Sequence, residues 1–459
     1  MRRFAARFLV ALVFALATGA AAPAAKFTVS TGMDGSDQTP GDGRCWTALS
    51  VGHCTLRAAV QEANALAGVD VVILGAGVHG ISINGIEEDA AETGDLDVTD
   101  DLVIDGQSSS VSIVDANSHD RVFDVQKGVS LTLRDVTVRE GSVSETNGAG
   151  ILARAGSHVI VSRSIIRDNV AIPGVSEPPF DFTWGGLGAG IALDAGRDGP
   201  PPTLLVEKSR ITGNRAHGAA GIVGEGGTME IVDTSIDDND AGALSGSSVT
   251  IERSTISGNF DLYAVVWLRG DDVSAIVNST ISGNLSGQVI VLSGAPITFD
   301  NVTLHANDAP LFTLYSTDTA SLRNTVFANA HVVEECTPAG SGAIESLGYN
   351  VDDDGTCAAH ATDRTVADPG LGPLQDNGGF TLTHAPLRDG PLVDTGAPSP
   401  CPAEDQRGMN RPEDGDGNGV ARCDVGAVEI PEPATGAMGL AAAGMLVAIA
   451  VIHRRPRSA

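Results

Sequence analysis

Aromatic side chains are scarce in this sequence of 459 residues, where Phe, Tyr and Trp together make up 4%. A single globular core of this length usually contains more aromatic volume. Glycine is abundant instead, with 56 residues. The composition therefore argues against one large globular core and favours an elongated molecule whose narrow interior is filled by Val, Ile, Leu and Ala.

Positive charge is also scarce, since 28 Lys and Arg stand against 58 Asp and Glu, giving a formal net charge of −30. Nucleic-acid binding depends on clustered basic residues, so no nucleic-acid partner is expected. An acidic chain favours solubility, cation binding or repulsion from acidic polymers.

Common catalytic motifs are missing from the sequence: His-Glu-x-x-His, Gly-x-Ser-x-Gly and the Walker phosphate-binding loop. Residues 75–80 do match Gly-x-Gly-x-x-Gly. However, residues 81–85 alternate like a strand, whereas a dinucleotide site requires a helix after the glycines. These glycines are therefore interpreted as turns.

The sequence does contain a repeated segment that ends in asparagine. Close copies occupy residues 206–214, 231–239, 251–259 and 276–284. The spacing of roughly 20–25 residues marks a solenoid of stacked units. Asparagines at the same turn are expected to form a structural ladder of amide hydrogen bonds; including three looser copies, they are Asn169, Asn214, Asn239, Asn259, Asn284, Asn307 and Asn329.

One interval in this series is longer than the others. From Asn169 to Asn214 the chain spans about two periods. A further copy is therefore expected between them, obscured by the Pro-rich insert 172–180.

Within each copy, Val, Ile and Thr alternate with Ser, Asp, Arg and Glu, which is strand periodicity. Leucine-rich repeats have a similar period, but Leu is not the recurring residue here. About 22 residues suit one turn of three short strands, stacked at about 4.8 Å per turn. The fold prediction is an all-β, right-handed parallel β-helix, a pectin-lyase-like solenoid.

Both ends of the chain have the features of targeting segments. Residues 1–25 combine a basic start, an apolar run and small residues, which is typical of a secretory signal peptide. At the other end, Pro431-Glu-Pro433 precedes an apolar run of about 19 residues and an arginine cluster, enough to form a transmembrane segment.

The tail, residues 431–459, resembles the PEP-CTERM sorting signal of Gram-negative bacteria. The resemblance implies recognition by an exosortase-type sorting machinery and at least transient membrane attachment. It also implies delivery to the cell envelope, the outer surface or the extracellular matrix.

Six cysteines in a chain that is expected to be exported indicate disulfides. Fifteen pairings are formally possible. Sequence proximity favours Cys45–Cys54, Cys336–Cys357 and Cys401–Cys423. No pair has Cys-x-x-Cys spacing, so a metal–thiolate site is not expected.

The segment before the repeats, Cys54-Thr-Leu-Arg-Ala-Ala-Val-Gln-Glu-Ala-Asn64, is similar to the CSLREA motif, with Thr55 and Ala58 in place of Ser and Glu. A short amphipathic helix here is expected to plug the open N-terminal end of the solenoid, within a cap formed by residues 26–70. Its apolar face would carry Leu56, Ala59, Val60 and Ala63.

The repeats are expected to span residues 71–345. After them, residues 346–430 contain an ordered series that includes Leu371-Gly-Pro-Leu-Gln-Asp-Asn-Gly-Gly379 and Cys423-Asp-Val-Gly-Ala427. This series resembles the choice-of-anchor Q domain of β-helix proteins. The resemblance implies a chain that is anchored by its tail, and it transfers no reaction. A loop-rich, disulfide-containing C-terminal region is expected here.

A possible cofactor site lies in this last region. Asp414-Gly-Asp416-Gly-Asn418-Gly419 matches the first half of an EF-type calcium loop, in which positions 1, 3 and 5 supply oxygens. The residue at position 12 is Val425, so the site would be nonstandard and would need oxygens from Glu413, Asp405 or Asp424. Calcium held by Asp414, Asp416 and Asn418 is one hypothesis, and a solvated acidic loop is the other.

A glycosidase on this scaffold would need two carboxylates about 5–9.5 Å apart, for example in equivalent positions of adjacent rungs. Aligning the copies on their last asparagine gives no such column. The position six residues earlier reads Lys208, Asp233, Arg253, which is interpreted as a surface charge ladder. Two acidic runs, Asp352-Asp-Asp354 and Asp237-Asp238, remain without an assigned role.

An active site would therefore have to be built from the loops 173–184 or 261–272. Trp184, Tyr263 and Trp267 in these loops are candidates for stacking on sugar rings, with ordinary packing as the alternative.

The favoured function is that of an exported, envelope- or matrix-anchored β-helix protein with an adhesive, structural or polysaccharide-binding role and no identifiable catalytic site. The alternative is a polysaccharide lyase or glycoside hydrolase acting on acidic polysaccharide. A groove with at least two carboxylates and an Arg or Lys within reach would favour the enzyme. A bare, regular lateral surface would favour binding.

Overall fold

The structure, a computed structural model, describes residues 24–433 apart from 48–51, 86–87, 175–184, 198, 271, 295, 316–317, 330–334, 337–341 and 358. Most of the predicted signal peptide and of the apolar tail lies outside these residues. Across the described ranges, no helix is both long and apolar enough to span a bilayer.

Each rung of the molecule contains three short strands, and every strand pairs in parallel with its counterparts in the rungs above and below. The first and second strands of the rungs form one sheet, because two long strands join both positions. That sheet contains Lys26–Thr28, Asp70–Leu74, Leu96–Val98, Leu102–Gly106, Phe123–Val125, Ser130–Arg134, Ile151–Arg154, His158–Ser162, Ile191–Asp194, Thr203–Glu207, Ile222–Val232, Leu244–Glu252, Val266–Arg269, Ser274–Val277, Ile290–Ser293, Ile297–Asp300, Phe312–Tyr315, Thr319–Arg323 and Ala343–Gly348.

The third strands of the rungs form a second sheet. Its members are Gly77–Gly80, Ser112–Asp115, Thr137–Arg139, Ile165–Arg167, Arg210–Thr212, Ser235–Asp237, Thr255–Ser257, Thr280–Ser282, Thr303–His305, Val326–Ala328, Val351–Asp352 and Arg364–Thr365. Two short pairs lie outside both sheets, Ser142–Ser144 with Val170–Ile172 and Phe260–Asp261 with Leu285–Ser286.

The core follows from strand alternation, which turns every second side chain inward. In the third strands the inward residue is repeatedly isoleucine, and these side chains are 0–1% exposed: Ile166, Ile211, Ile236, Ile256 and Ile281. Parallel pairing stacks them in register along the bore. The prediction of an all-β, right-handed parallel β-helix is confirmed.

The seven asparagines form a continuous ladder just after the third strands. The Nδ2 of each donates to the Oδ1 of the next at 2.9–3.2 Å, and all seven are buried. The same Oδ1 atoms also accept the backbone N–H of the preceding asparagine, as between Asn239 and Asn259 at 3.1 Å. The ladder therefore ties the turn of one rung to the turn of the next.

The expected extra copy between Asn169 and Asn214 is absent, and that prediction was wrong. Asn169 bonds directly to Asn214, and strand Ile165–Arg167 pairs directly with Arg210–Thr212. The interval is thus one rung enlarged by an insertion, because extra residues that leave the rung at a turn add length without adding a strand layer.

The helix Leu56–Ala65 caps the N-terminal end and begins at Thr55, whose Oγ1 accepts the N–H of Ala58 at 3.1 Å. It packs against the strands Asp70–Leu74 and Leu96–Val98. Its predicted apolar face is buried, but so are Arg57, Gln61 and Glu62 on the polar face. The loops of residues 34–43 and 91–95 cover that polar face. The helix is therefore enclosed on both sides.

The six cysteines form three disulfides, Cys45–Cys54, Cys336–Cys357 and Cys401–Cys423. Residues beyond 366 are mostly loops, and they fold back along the outer surface of the second sheet. Gln406 illustrates the contact: its Nε2 donates to Ser254 O at 3.1 Å, and its Oε1 accepts from the Thr280 hydroxyl at 2.6 Å. This face of the solenoid is therefore covered by the chain itself.

Candidate functional site

The first strands of the rungs leave one face of the solenoid uncovered by the C-terminal region. Their middle residues point outward, because both neighbours are buried in the core, as Phe123 and Val125 are beside Asp124. Parallel pairing places these middle residues in one line, here called the outer column. It comprises Asp97, Asp124, Leu152, Ala192, Val223, Ser245, Trp267, Val291 and Thr313.

A pocket of about 360 Å³ lies at the acidic end of the outer column. Asp97 and Asp124 are partners on adjacent rungs. Oxygens of Asp95, Asp97 and Asp124 all lie within 4.8 Å of one another. The three residues are 7%, 0% and 2% exposed, respectively. The structure therefore concentrates three carboxyl groups where water has little access.

Two arginines share this pocket with the carboxylates. Nη1 of Arg121 donates to Asp95 Oδ2 at 2.8 Å and to Asp124 Oδ2 at 3.2 Å. Arg154 forms a two-bond contact with Asp124 at 2.8 and 2.6 Å. These bonds raise the pKa of Arg154. Asp124 therefore lies between two guanidinium groups and accepts hydrogen bonds from both.

The other two carboxyl groups, those of Asp95 and Asp97, have raised pKa values. Burial raises the pKa of Asp95 to about 7, although Arg121 opposes the shift. Burial, together with the charge of Asp95, raises the pKa of Asp97 to about 8. The pocket and its surroundings therefore combine two carboxyl groups of raised pKa with a third, Asp124, that is paired with two arginines. Carboxyl groups in such different environments are typical of acid–base catalysis.

The sequence did not predict the pocket that contains Asp95, Asp124, Arg121 and Arg154, here called the acid–arginine pocket. One signal could have revealed its aspartates. The same apolar-Asp-apolar pattern occurs in two strands on adjacent rungs, Leu96-Asp97-Val98 and Phe123-Asp124-Val125. Both precede the copies that align on asparagine. The expectation of no carboxylate column concerned the copies that align on asparagine, so these two rungs lie outside it.

An aromatic groove lies further along the same column. Two adjoining cavities of about 190 and 250 Å³ share Tyr263, Ala264 and Trp267. Tyr263 and Tyr315 are 67% and 50% exposed, and the guanidinium of Arg269 lies 4.0 Å from the ring centroid of Trp267. Trp267 belongs to strand Val266–Arg269 and not to a loop as expected, and Trp184 lies outside the described residues.

Polar groups line the edge of the aromatic groove. Burial raises the pKa of Asp261, whose Oδ1 accepts the N–H of Tyr263 at 2.8 Å. Trp267 Nε1 and Gln288 Oε1 are buried and have no hydrogen-bond partner among the described residues. Because an unpaired buried polar atom costs on the order of 1–3 kcal/mol, this groove has unmet hydrogen-bonding capacity beside aromatic faces.

The predicted calcium loop brings its residues together. The Asn418 N–H donates to Asp414 Oδ1 at 3.0 Å and to Asp416 Oδ1 at 2.9 Å. The third carboxylate within 4.8 Å comes from Asp394, on a separate segment. Asp424 instead accepts the backbone N–H of Asp394 at 2.6 Å. The oxygens are thus suited to a hard cation such as calcium.

The acidic run 352–354 is joined by Glu335, which the sequence had not connected with it. Burial raises the pKa of Glu335 to about 8 and that of Asp352 to about 6, and neighbouring acids add to both shifts. By contrast, Asp237 is bound by Arg210, in a pairing between adjacent rungs. Arg253 likewise pairs with Asp233 at 2.9 Å, which fits the interpretation of a surface charge ladder.

The comparisons with known proteins concern the fold. Residues 220–345 match the family described as "Right handed beta helix region". No curated protein matches the chain.

Two solved structures are similar in fold. Pectate lyase Pel9A is 13% identical, over 88% of this chain and 96% of that one, with a TM-score of 0.46. The catalytic unit of a thermostable GH87 α-1,3-glucanase from Streptomyces thermodiastaticus strain HF3-3 is 14% identical, over 76% and 72%, with a TM-score of 0.30. At these values the likenesses carry no information about what this chain binds.

Proposed function

We propose that this chain is an exported, envelope- or matrix-anchored β-helix protein that binds polysaccharide along its outer column. The observation that carries the proposal is the aromatic groove formed by Tyr263, Trp267 and Tyr315, on the face of the first strands that the C-terminal region leaves uncovered. Aromatic rings pack against the C–H faces of sugars, while Asp261 and Gln288 offer oxygens to hydroxyl groups.

The length of the column favours a polymer over a single sugar. Five rungs separate Asp124 from Trp267, which at about 4.8 Å per rung is about 24 Å. The signal peptide and the PEP-CTERM-like tail, with its exosortase-type machinery, supply export and anchoring in this proposal. The three disulfides fit an oxidising compartment.

The binding proposal is tested with the full-length chain, produced in an oxidising compartment and titrated with a panel of neutral and acidic polysaccharides. We expect Trp267→Ala to weaken binding of the preferred polymer about tenfold, because a stacked ring contributes on the order of 1 kcal/mol.

Trp46→Ala is the matched control. Trp46 is also partly exposed and also carries an arginine over its ring, Arg44 at 4.7 Å, but it lies in the N-terminal cap. Equal losses in the two variants, or no binding of any polymer by the wild type, would contradict the proposal.

A second candidate function is glycan cleavage, by a glycoside hydrolase or polysaccharide lyase, and the acid–arginine pocket favours it. In the hydrolytic form Asp95 would donate its proton to the glycosidic oxygen as the C–O bond breaks. The Asp124 anion would stabilise the positive charge on the sugar, and water would complete the hydrolysis. In this proposal the proton donor lies beside Asp124, a member of the column that also carries the aromatic groove.

Cleavage is tested by following new reducing ends and unsaturated-uronate absorbance. A raised pKa keeps Asp95 protonated below about pH 7, so hydrolysis should fall as pH rises above 7. Asp95→Asn should lower the rate at least a hundredfold.

Asp115→Asn is the control for the cleavage test, since Asp115 is a buried, arginine-paired aspartate on the other sheet. If no polymer is cleaved while Trp267→Ala still weakens binding, the protein is a binder only.

We also propose calcium as a ligand of Asp414, Asp416 and Asn418, with Asp394 as a further carboxylate. The supporting observation is the convergence of three carboxylates from two segments. In this proposal calcium stabilises the covering C-terminal region and takes no part in chemistry.

A further inference from the structure

The asparagine ladder ends on a glutamate. In the inner rungs, the backbone N–H of each asparagine is accepted by the Oδ1 of the next one. At Asn329, the last member of the ladder, Glu335 Oε1 accepts the backbone N–H at 2.7 Å. Glu335 is 0% exposed, and its Oε2 is buried with no hydrogen-bond partner among the described residues. A fully buried carboxylate oxygen without a partner indicates a ligand that the protein does not supply.

Further carboxylates surround this glutamate. Oxygens of Glu335 and Asp352 lie within 4.8 Å of one another, as do those of Asp352, Asp353 and Asp354. Asp352 is 0% exposed, and the side chain of Asp353 contacts Glu335. Within the described ranges, Glu335, Asp352 and Asp353 form no ion pair with a Lys or Arg. Buried charges of one sign are costly unless a cation compensates them.

The positions of these acids are set by other bonds. The Cys336–Cys357 disulfide joins the residue after Glu335 to the end of the acidic loop. The N–H groups of Glu335 and Cys336 donate to Asp354 Oδ2 and Thr356 Oγ1, both at 3.1 Å. The site is therefore held in place covalently and by backbone hydrogen bonds.

The donor atoms select the type of cation. Cys357 is close to Glu335 and Asp352, but its sulfur is in a disulfide and cannot act as a thiolate. The remaining ligands are carboxylate oxygens, which suit hard cations. An irregular set from two segments suits calcium better than the strict octahedron of magnesium.

We propose that Glu335, Asp352 and Asp353 bind a calcium ion that terminates the asparagine ladder. This site is separate from the loop of Asp414 and from polysaccharide binding. Calcium here would take the place of a further ladder residue, because it would satisfy the remaining oxygen of Glu335, the last acceptor of the ladder.

The test is hydrogen exchange of the full-length chain in calcium and in chelator, read in peptides that cover residues 319–329. We expect calcium to slow exchange there at least tenfold in the wild type, but not in Glu335→Gln. Asp389→Asn is the control, because Asp389 is exposed and lies in neither proposed calcium site. The amide at position 335 keeps an oxygen for the Asn329 N–H, so the fold should survive the change.

If Glu335→Gln does not fold, Asp353→Asn tests the proposal instead, because Asp353 is only half-buried and its substitution should leave the fold intact. The proposal would be overturned if calcium gave the wild type no protection. It would also be overturned if calcium protected the variants at positions 335 and 353 as much as the wild type. Loss of protection in Asp414→Asn alone would place the calcium in the other loop.

Discussion

At the scale of single residues, Arg57 does more than the sequence suggests. It is 1% exposed, and its guanidinium forms two bonds with Asp34 at 2.8 and 3.2 Å. It also donates to the carbonyls of Ala91 and Gly94 at 3.0 and 2.7 Å. Although burial alone would raise it, hydrogen bonds from Arg57 and nearby N–H groups hold the pKa of Asp34 below its usual value. One side chain thus joins three segments of the cap.

We expect Arg57→Lys to lower the free energy of unfolding by about 3 kcal/mol, because an ammonium group cannot make the two-bond contact and reach both carbonyls. Denaturant unfolding measures the loss. Arg163→Lys is the control: Arg163 contacts Asp135 in the same two-bond manner, but its side chain is 50% exposed. Its change should stay below about 0.5 kcal/mol, and equal effects would show that burial is unimportant.

At the scale of elements, the asparagine ladder stabilises the turns of the rungs. Asn259 donates to Asn284 Oδ1 at 3.1 Å and to Ile236 O at 2.9 Å. It accepts from Asn239 through both the backbone N–H and Nδ2. The strands alone would leave these buried groups unpaired, so the amide ladder and the sheets depend on each other.

We expect Asn259→Ala to lower the free energy of unfolding by about 3 kcal/mol, since it leaves buried donors and acceptors unsatisfied. Hydrogen exchange should locate the damage at Asn239 and the adjoining rung. Asn329→Ala should cost less, because the Nδ2 of Asn329 already has no partner in the part of the chain described. A larger loss at position 329 would contradict this ranking.

At the scale of the whole molecule, the C-terminal region decides which face of the solenoid is free. It covers the second sheet through Gln406, His384 and the loop that ends in Ala427. Burial lowers the pKa of His384 to about 4, so this histidine stays neutral and the contact should not change above pH 5. The aromatic groove, by contrast, keeps Tyr263 and Tyr315 exposed.

We expect Gln406→Ala to loosen this cover, because Gln406 bridges Ser254, Thr255 and Thr280 of the solenoid with the covering loops. Limited proteolysis should cut within residues 366–410 at least several times faster than in the wild type. Gln375→Ala is the control, since Gln375 is exposed and its side chain bonds within its own loop. An unchanged cleavage rate in the Gln406→Ala variant would show that other contacts hold the C-terminal region on the solenoid.

The fold could be read from the sequence because its repeat is local. Each copy carries its own alternation, turn and asparagine, so the pattern of residues 206–284 specifies the same rung each time. The insertion after Asn169 was misread for the same reason, since counting residues cannot distinguish a large turn from an additional rung. The capping helix was equally readable from its 3.6-residue pattern, whereas its buried polar face was not.

The sites depended on contacts that the sequence does not encode locally. The hypothesis of a calcium loop at residues 414–418 could be made from the sequence because such loops take their first ligands from one segment, but the neighbouring Asp394 comes from another. Asp97 meets Asp124, and Glu335 meets Asp352, only because winding the chain brings distant residues to neighbouring rungs. The architecture follows from the sequence alone, since a repeated local pattern specifies how the rungs stack. Which carboxyl groups are buried together emerges only on folding, because burial and proximity arise when the rungs stack and the C-terminal region covers one face.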